Sequence, residues 1–339
     1  MVQVEKSEAK KRLGNGANIV KFRELGMLAI IIIVSVLIQM RNPNFLTFEN
    51  IHDMLTNTAI LSILAVGMML VIITRGIDLS IGSTLALSGM LSALAVAANQ
   101  NLHPLAAMLI GTIVGIGCGA IVGLLVSKGR VLPIIASLGM MNVYRGLTYM
   151  ASGGAWVSAH QMPESFKRIA TGRILGINTL IFIAIIIYII AFYFVNYTRT
   201  GRQIYAVGSN PESAKVSGIN TSRVLFLVYS IMGALAGLAG VLWVSKFASA
   251  QGDTATGYEM SVIAACVLGG VSMAGGSGKI SGVIMGSILL GIINNALPLI
   301  KVSPFWQQCI QGLIILLSML ANTLIKRRVD KQNLLRRKI

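Results

Sequence analysis

The chain has 339 residues, of which 55% are hydrophobic and only 12% charged, with a mean hydropathy of +0.78. Soluble domains carry roughly twice that charge, so an ordinary water-soluble fold is excluded. A formal net charge of +17 would point to nucleic acid in a soluble protein, but the basic residues here sit at the two ends and in alternate polar segments, the positive-inside pattern of a membrane protein. The apolar runs are about 17 to 24 residues long, enough to cross a hydrocarbon layer of roughly 30 Å as helices, and they lack the alternation of a membrane barrel. The expected fold is an all-α integral membrane protein, a bundle of about ten transmembrane helices.

Residues 1–24 are polar and basic (Lys6, Lys10, Lys11, Arg12, Lys21, Arg23) and lead into the apolar run 25–40. No small-residue cleavage site follows, so the run is predicted to be an uncleaved first span with the N-terminus in the cytoplasm. After Asn42-Pro43-Asn44, Thr47 or Asn50 supplies a cap for a helix that grows into the second span, 56–74. The stretch Arg75-Gly76-Ile77-Asp78-Leu79-Ser80-Ile81-Gly82-Ser83 then interrupts apolar sequence without being long enough for a normal loop. The third span is placed at 81–98 and the fourth at 105–127. The fourth carries Gly111, Gly115, Gly119 and Gly123 at four-residue spacing, which predicts close helix contact along one face.

A fifth span at 131–151 contains Pro133 and Arg145, and the longest outer segment, 152–176, follows. The sixth span, 177–195, leads into a polar island at 196–223. The seventh, 224–245, bears Gly233, Gly237 and Gly240 for packing. After an outer loop at 246–259, an eighth apolar run starts near Met260 and stops at the Gly-rich stretch from Leu268 to Gly278. A ninth span at 280–297, a tenth at 305–325 and a basic tail at 326–339 complete a transmembrane unit, 25–325, between two basic cytoplasmic ends. With ten spans both ends and the island share one side, and 21 of the 28 Lys and Arg lie there. Cys118, Cys266 and Cys309 fall within apolar runs and read as small core residues.

Within the island, Ser209-Asn210-Pro211-Glu212 is a helix-start signal: Asn210 caps free amides, Pro211 suits the first helical position and Glu212 faces the positive end of the dipole. Gly218 ends the turn, which leaves a two-turn helix at most. Pro211, Ala214 and Gly218 form a face almost without bulk, suited to close approach by another protein; an ordinary connector with a solvated helix is the alternative.

The two interruptions superimpose at an offset of 194, which sets Gly76, Gly82 and Ser83 on Gly270, Gly276 and Ser277, with Asp78 opposite Ser272. Paired Gly-rich breaks in corresponding halves point to a transport pathway, because unwound backbone at depth persists only where it is buried or lines a cavity. Asp78, Ser80, Gly82, Ser83, Gly270, Ser272 and Gly276 are therefore pathway candidates, together with the adjacent Asn294 and Asn295 of the ninth span. Asp78 has a second reading, as the cap of the next helix with Arg75 as counter-charge.

Gly278-Lys279 resembles the end of a phosphate-binding loop but has Met273 and Ile280 where that loop needs Gly and Ser or Thr. Any use of ATP is therefore expected on a partner chain. His52, His103 and His160 are scattered and do not fall with cysteines or carboxylates, so no metal site is expected.

GIDLSIGSTLALSG (76–89), GRQIYAVGSNPESAKVSGIN (201–220) and GYEMSVIAACVLGGVSMAGGSG (257–278), in that order and spacing, resemble the membrane permease of bacterial ABC importers for monosaccharides of the ribose, xylose and galactose type. The resemblance implies a multi-pass protein of the inner membrane, paired with a second permease copy, two cytoplasmic ATPase subunits that hold ATP and Mg, and a periplasmic sugar-binding protein. It implies no cofactor and no nucleic acid on this chain, and lipid around it. It makes the island the ATPase-coupling loop, with Gly208, Asn210, Pro211, Glu212, Ala214, Ser217, Gly218 and Asn220 as coupling residues. Met273 and Ala274 stand where the family more often has a Ser-Leu pair, which leaves the sugar open. An ion-coupled secondary carrier would use similar broken helices but would carry more buried charge than Asp78, Arg75 and Arg145 supply.

Overall fold

The computed structural model describes residues 25–301 and a few scattered positions between 303 and 320. The basic ends 1–24 and 326–339, and most of the expected tenth span, lie outside the described residues. The elements are α1 (Leu25–Arg41), α2 (Phe48–Ile73), α3 (Ile81–Ala98), α4 (Pro104–Ser127), α5 (Pro133–Ser152) and a short α6 (Glu164–Thr171). A two-residue hairpin, β1 (Arg173–Ile174) and β2 (Ile177–Asn178), leads into α7 (Thr179–Tyr197), α8 (Arg199–Ser209), α9 (Pro211–Val216), α10 (Thr221–Phe247), α11 (Tyr258–Leu268) and α12 (Ile280–Leu299). Six of these, α2, α3, α4, α7, α10 and α12, are long and apolar enough to cross a membrane. The expected eighth span is instead the 11-residue α11, about 16 Å long, which cannot cross alone. Left-handed glycines close both its ends, Gly257 at its start and Gly270 just past its finish.

Helix α10 is the hub and packs most extensively on α4, then on α3 and α2. The glycine ladder explains why. A Cβ at Gly115 would lie 2.2 Å from the Gly233 carbonyl oxygen, and one at Gly119 would lie 2.2 Å from that of Tyr229. Gly237 meets the Gly111 carbonyl in the same way, so the two backbones touch with no side chain between them. Gly240 faces elsewhere, against Leu85 and Gly89 of α3. Helix α2 runs through the middle of the bundle, with Thr47 as its N-cap accepting from the Asn50 amide.

At the end of the bundle where α10 finishes, α6 lies across it. Phe166, Ile169 and Ala170 are buried, and Ser245 Oγ donates to the Phe166 carbonyl at 2.8 Å while accepting from the Ala170 amide at 3.0 Å. Arg145 of α5 donates to the carbonyls of Gly252 and Thr254 at 2.7 and 2.8 Å, which ties down the loop before α11. Cys118 and Cys266 are buried as expected, whereas Cys309 is exposed.

Candidate functional site: a three-way junction and a polar cavity

The chain breaks after α2 and after α11 in the same way. Arg75, at φ 65°, donates its amide to the Ile72 carbonyl, and Gly76 donates to Val71. Gly270, at φ 76°, donates to Val267, and Val271 donates to Cys266. Each pair is a Schellman cap, in which one left-handed residue turns the chain out of the helix and satisfies its last carbonyls. The equivalent residues are therefore Arg75 and Gly270, one position away from the Gly76 to Gly270 match read from sequence. The correspondence is lost on leaving the break, because residues 74–80 suffice before α3 while 269–279 precede α12. Gly82 accordingly stands inside α3, against the Ala255 carbonyl, and Gly276 stays in the loop.

Both breaks meet the end of α8. The Arg75 guanidinium donates from Nε to the Gly208 carbonyl at 2.6 Å and from Nη2 to the Ser209 carbonyl, placing a cation on the negative end of that helix. The Gly276 amide donates to the Ile73 carbonyl at 2.8 Å, and Tyr205 Oη donates to the Gly278 carbonyl at 2.8 Å. Gly208 sits where these strands of backbone cross: a Cβ there would lie 1.8 Å from the Ile73 oxygen and 2.8 Å from the Gly276 nitrogen. Only a residue without a side chain lets α8 end there.

Asp78 is buried at 2% exposure, and its Oδ1 accepts from the Ser80 amide at 2.9 Å and the Ser80 hydroxyl at 2.6 Å. It orders the turn into α3. Arg75 does not act as its counter-charge, because the guanidinium is engaged on α8. Ser80 and Ser83 are buried beside it, with Ser83 Oγ donating to the Ser80 carbonyl at 2.9 Å. In the second break, the Ser272 amide donates to the Ser277 carbonyl and closes a tight loop.

The island holds two helices rather than one. Its first half, for which no helix is predicted, holds the 11-residue α8, with Ile204 and Val207 buried. Asn210 then caps α9 as expected, its Oδ1 accepting from the Glu212 and Ser213 amides at 3.0 Å each. Gly218, at φ 80°, ends the turn. The expected bare face divides: Pro211 and Gly218 are exposed, whereas Ala214 is buried at 4% exposure against the rest of the chain. Glu212, Ser213, Lys215 and above all Val216, 90% exposed, point outward. Ser217 and Asn220 close the segment, and Asn220 caps α10 by accepting from the Arg223 amide at 2.9 Å.

Asn294 and Asn295 are far from this junction, toward the opposite end of α2 and α12. Asn295 and Asn50 exchange amide hydrogen bonds at 3.1 Å, which locks α12 to α2. Asn294 and Asn295 line a cavity of about 280 Å³ with Asn57, Trp243, Lys246 and Tyr258. Lys246 Nζ donates to Asn57 Oδ1 at 2.7 Å, and the Trp243 and Tyr258 rings meet edge-on at 5.1 Å. From Asn57 to the junction at Ile73 is about 24 Å along α2.

Residues 50–319 match a family described as a branched-chain amino acid transport system permease component. The ribose import permease RbsC of Escherichia coli strain K12 is 42% identical over 300 residues, covering 88% of this chain and 92% of that protein. The chain belongs to this permease family. RbsC of Bacillus subtilis strain 168 is 39% identical, over 87% of this chain and 90% of its own. The autoinducer 2 import permease LsrC of Enterobacter sp. strain 638 is 36% identical, over 88% and 86%. No solved structure matches the chain. Membership makes it a multi-pass transport component rather than an enzyme, and the matched region contains both breaks and the α8–α9 segment. Sequence reading missed Arg75 as the clamp on α8 and Trp243, Lys246 and Asn57 as cavity residues. Arg75 carried a signal, a lone cation at the end of a long apolar run; the cavity residues carried none, because they are brought together from α2 and α10.

Proposed function

We propose that this permease moves a monosaccharide, or a similar small polyol-like solute, from periplasm to cytoplasm as the membrane subunit of an ATP-binding-cassette importer. The observation that carries this is the junction: one small segment, α8–α9, is hydrogen-bonded and packed against the chain breaks of both halves. A displacement of α9 would reach both breaks as a rigid-body push. The nearby permeases of ribose and autoinducer 2 support a small polar solute.

In this reading ATP and Mg bind a partner ATPase, whose surface receives the outward face of α9, with Val216 at its centre. A periplasmic binding protein delivers the solute at the opposite end, a second permease copy completes the pathway, and both basic termini are cytoplasmic in a bundle of about ten spans. The cavity of Trp243, Tyr258, Asn57 and Asn294 offers aromatic faces and amides, the combination that fits a ring of hydroxyls.

Val216→Arg is expected to insert and fold normally, because the side chain is exposed, while weakening co-purification with the ATPase and abolishing ATP-driven uptake. Unchanged uptake would remove α9 from the coupling path. Uptake that survives ATP depletion but stops with a protonophore would instead make the chain a secondary carrier.

A further inference from the structure

At the junction end a cavity of about 740 Å³ opens between the α4–α5 turn, the α9–α10 turn and the first break. Arg130 and Lys215 line it, and neither side chain makes a hydrogen bond or ion pair with another described residue. A smaller cavity of about 260 Å³ shares Ser127, Asn220 and Ser222 with it and adds Lys128 and Arg223. No Asp or Glu lines either one. At the inner wall, two buried hydroxyls have no hydrogen-bond partner among the described residues: Tyr229 Oη, fully buried, and Ser127 Oγ, at 8% exposure. The Tyr229 hydroxyl lies against the backbone of the first break, 2.4 Å from where a Cβ on Gly76 would be. The N-terminus of the 27-residue α10, capped by Asn220, also opens here.

Cations, hydroxyl donors and the positive end of a long helix, with no carboxylate in the lining and the buried Asp78 carboxyl behind the Tyr229 hydroxyl, are complementary to a phosphate-type oxyanion. We propose that this cavity binds a phosphate group, with Arg130 and Lys215 supplying the charge and Tyr229 and Ser127 supplying the inner hydrogen bonds. The group belongs either to a free anion entering from water or to the headgroup of an anionic lipid, for which basic pockets between membrane helices are a recurrent site. Bound, it bridges α9, through Lys215, to the Tyr229 hydroxyl beneath Gly76. Occupancy therefore stiffens the link between the coupling segment and the first break.

The test uses the full chain in maltoside detergent, which carries no phosphate, in two arms. Inorganic phosphate binding is measured by equilibrium dialysis, and retention of added phosphatidylglycerol by native mass spectrometry. Saturable phosphate binding identifies the free anion; one retained phosphatidylglycerol per chain without phosphate binding identifies the headgroup. In either case Arg130→Asn, which suits the left-handed backbone at φ 53°, and Lys215→Gln are each expected to weaken the occupant roughly tenfold, as for loss of one charge-assisted hydrogen bond. Tyr229→Phe, which removes only the hydroxyl, is expected to weaken it about threefold. Arg130 and Lys215 are exposed, so these variants fold, and Arg173→Gln near the other end of the bundle serves as the neutral control. The proposal is overturned if neither ligand binds, or if binding is the same in the wild type and all three cavity variants.

Discussion

The break after α2 and the break after α11 begin with the same cap but place different residues at its left-handed position, Arg75 in one and Gly270 in the other. Glycine adopts that backbone freely, whereas an L-residue pays about 1 kcal/mol or more to do so. The arginine is kept where glycine would be easier, and its side chain shows why: it holds the last carbonyls of α8. The second break reaches the same helix by having no side chains, with Gly275 and Gly276 against Gly208 and Ser209. One half grips the coupling segment through the charged hydrogen bonds of Arg75, the other by close packing with one neutral hydrogen bond from Tyr205.

Substitutions can break this contrast in graded steps. The largest effect is expected from Gly208→Val, because no rotamer relieves a Cβ lying on the Ile73 carbonyl. Both grips open together, with a loss of about 3 kcal/mol or more, read as a lower midpoint in thermal unfolding and loss of uptake. Arg75→Gln removes the charged grip alone and is expected to cost about 2 to 3 kcal/mol. Comparison with Arg75→Gly separates its two roles. If glycine restores stability but not uptake, the cap is mere geometry and the guanidinium carries the coupling.

Gly276→Ala tests the packed grip. Its φ of 69° and a Cβ 2.7 Å from Ser209 Cα predict a loss of about 2 kcal/mol, with uptake reduced more than ATPase co-purification. Tyr205→Phe should have the smallest effect, about 1 kcal/mol for one neutral hydrogen bond to the Gly278 carbonyl. A loss as large as that from Arg75→Gln would mean the second half is also held chiefly by hydrogen bonding.

How much of this could be read beforehand depended on the range of the forces involved. Caps are local, and Thr47, Asn210 and Asn220 stand where their side chains can accept from amides two or three residues ahead. The glycine ladder of α4 announced a backbone contact because four-residue spacing has no other strong use in a membrane helix. The match between the breaks slipped by one residue because it paired glycines, while the geometry pairs left-handed positions and one of them is an arginine. Helix α8 went unread because its buried residues, Gly201, Ile204, Val207 and Gly208, are few and acquire their neighbours from α7, α10, α2 and the second break.

The amino-acid sequence by itself determined that the chain lives in a membrane, where most of its helices run, and where the breaks and the island interrupt them, because hydropathy, capping and glycine spacing act over a few residues. Tertiary structure alone decided what each apolar helix faces. Helices α2 and α7 are both strongly apolar, yet 89% of the most apolar window of α2 is buried within the protein and only 22% of that of α7. Lipid and protein interior solvate an apolar side chain almost equally well, so composition does not distinguish them. The same reason hid the junction: it is built mainly of backbone carbonyls, amides and glycines from three segments, and only the folded chain brings them within hydrogen-bonding distance.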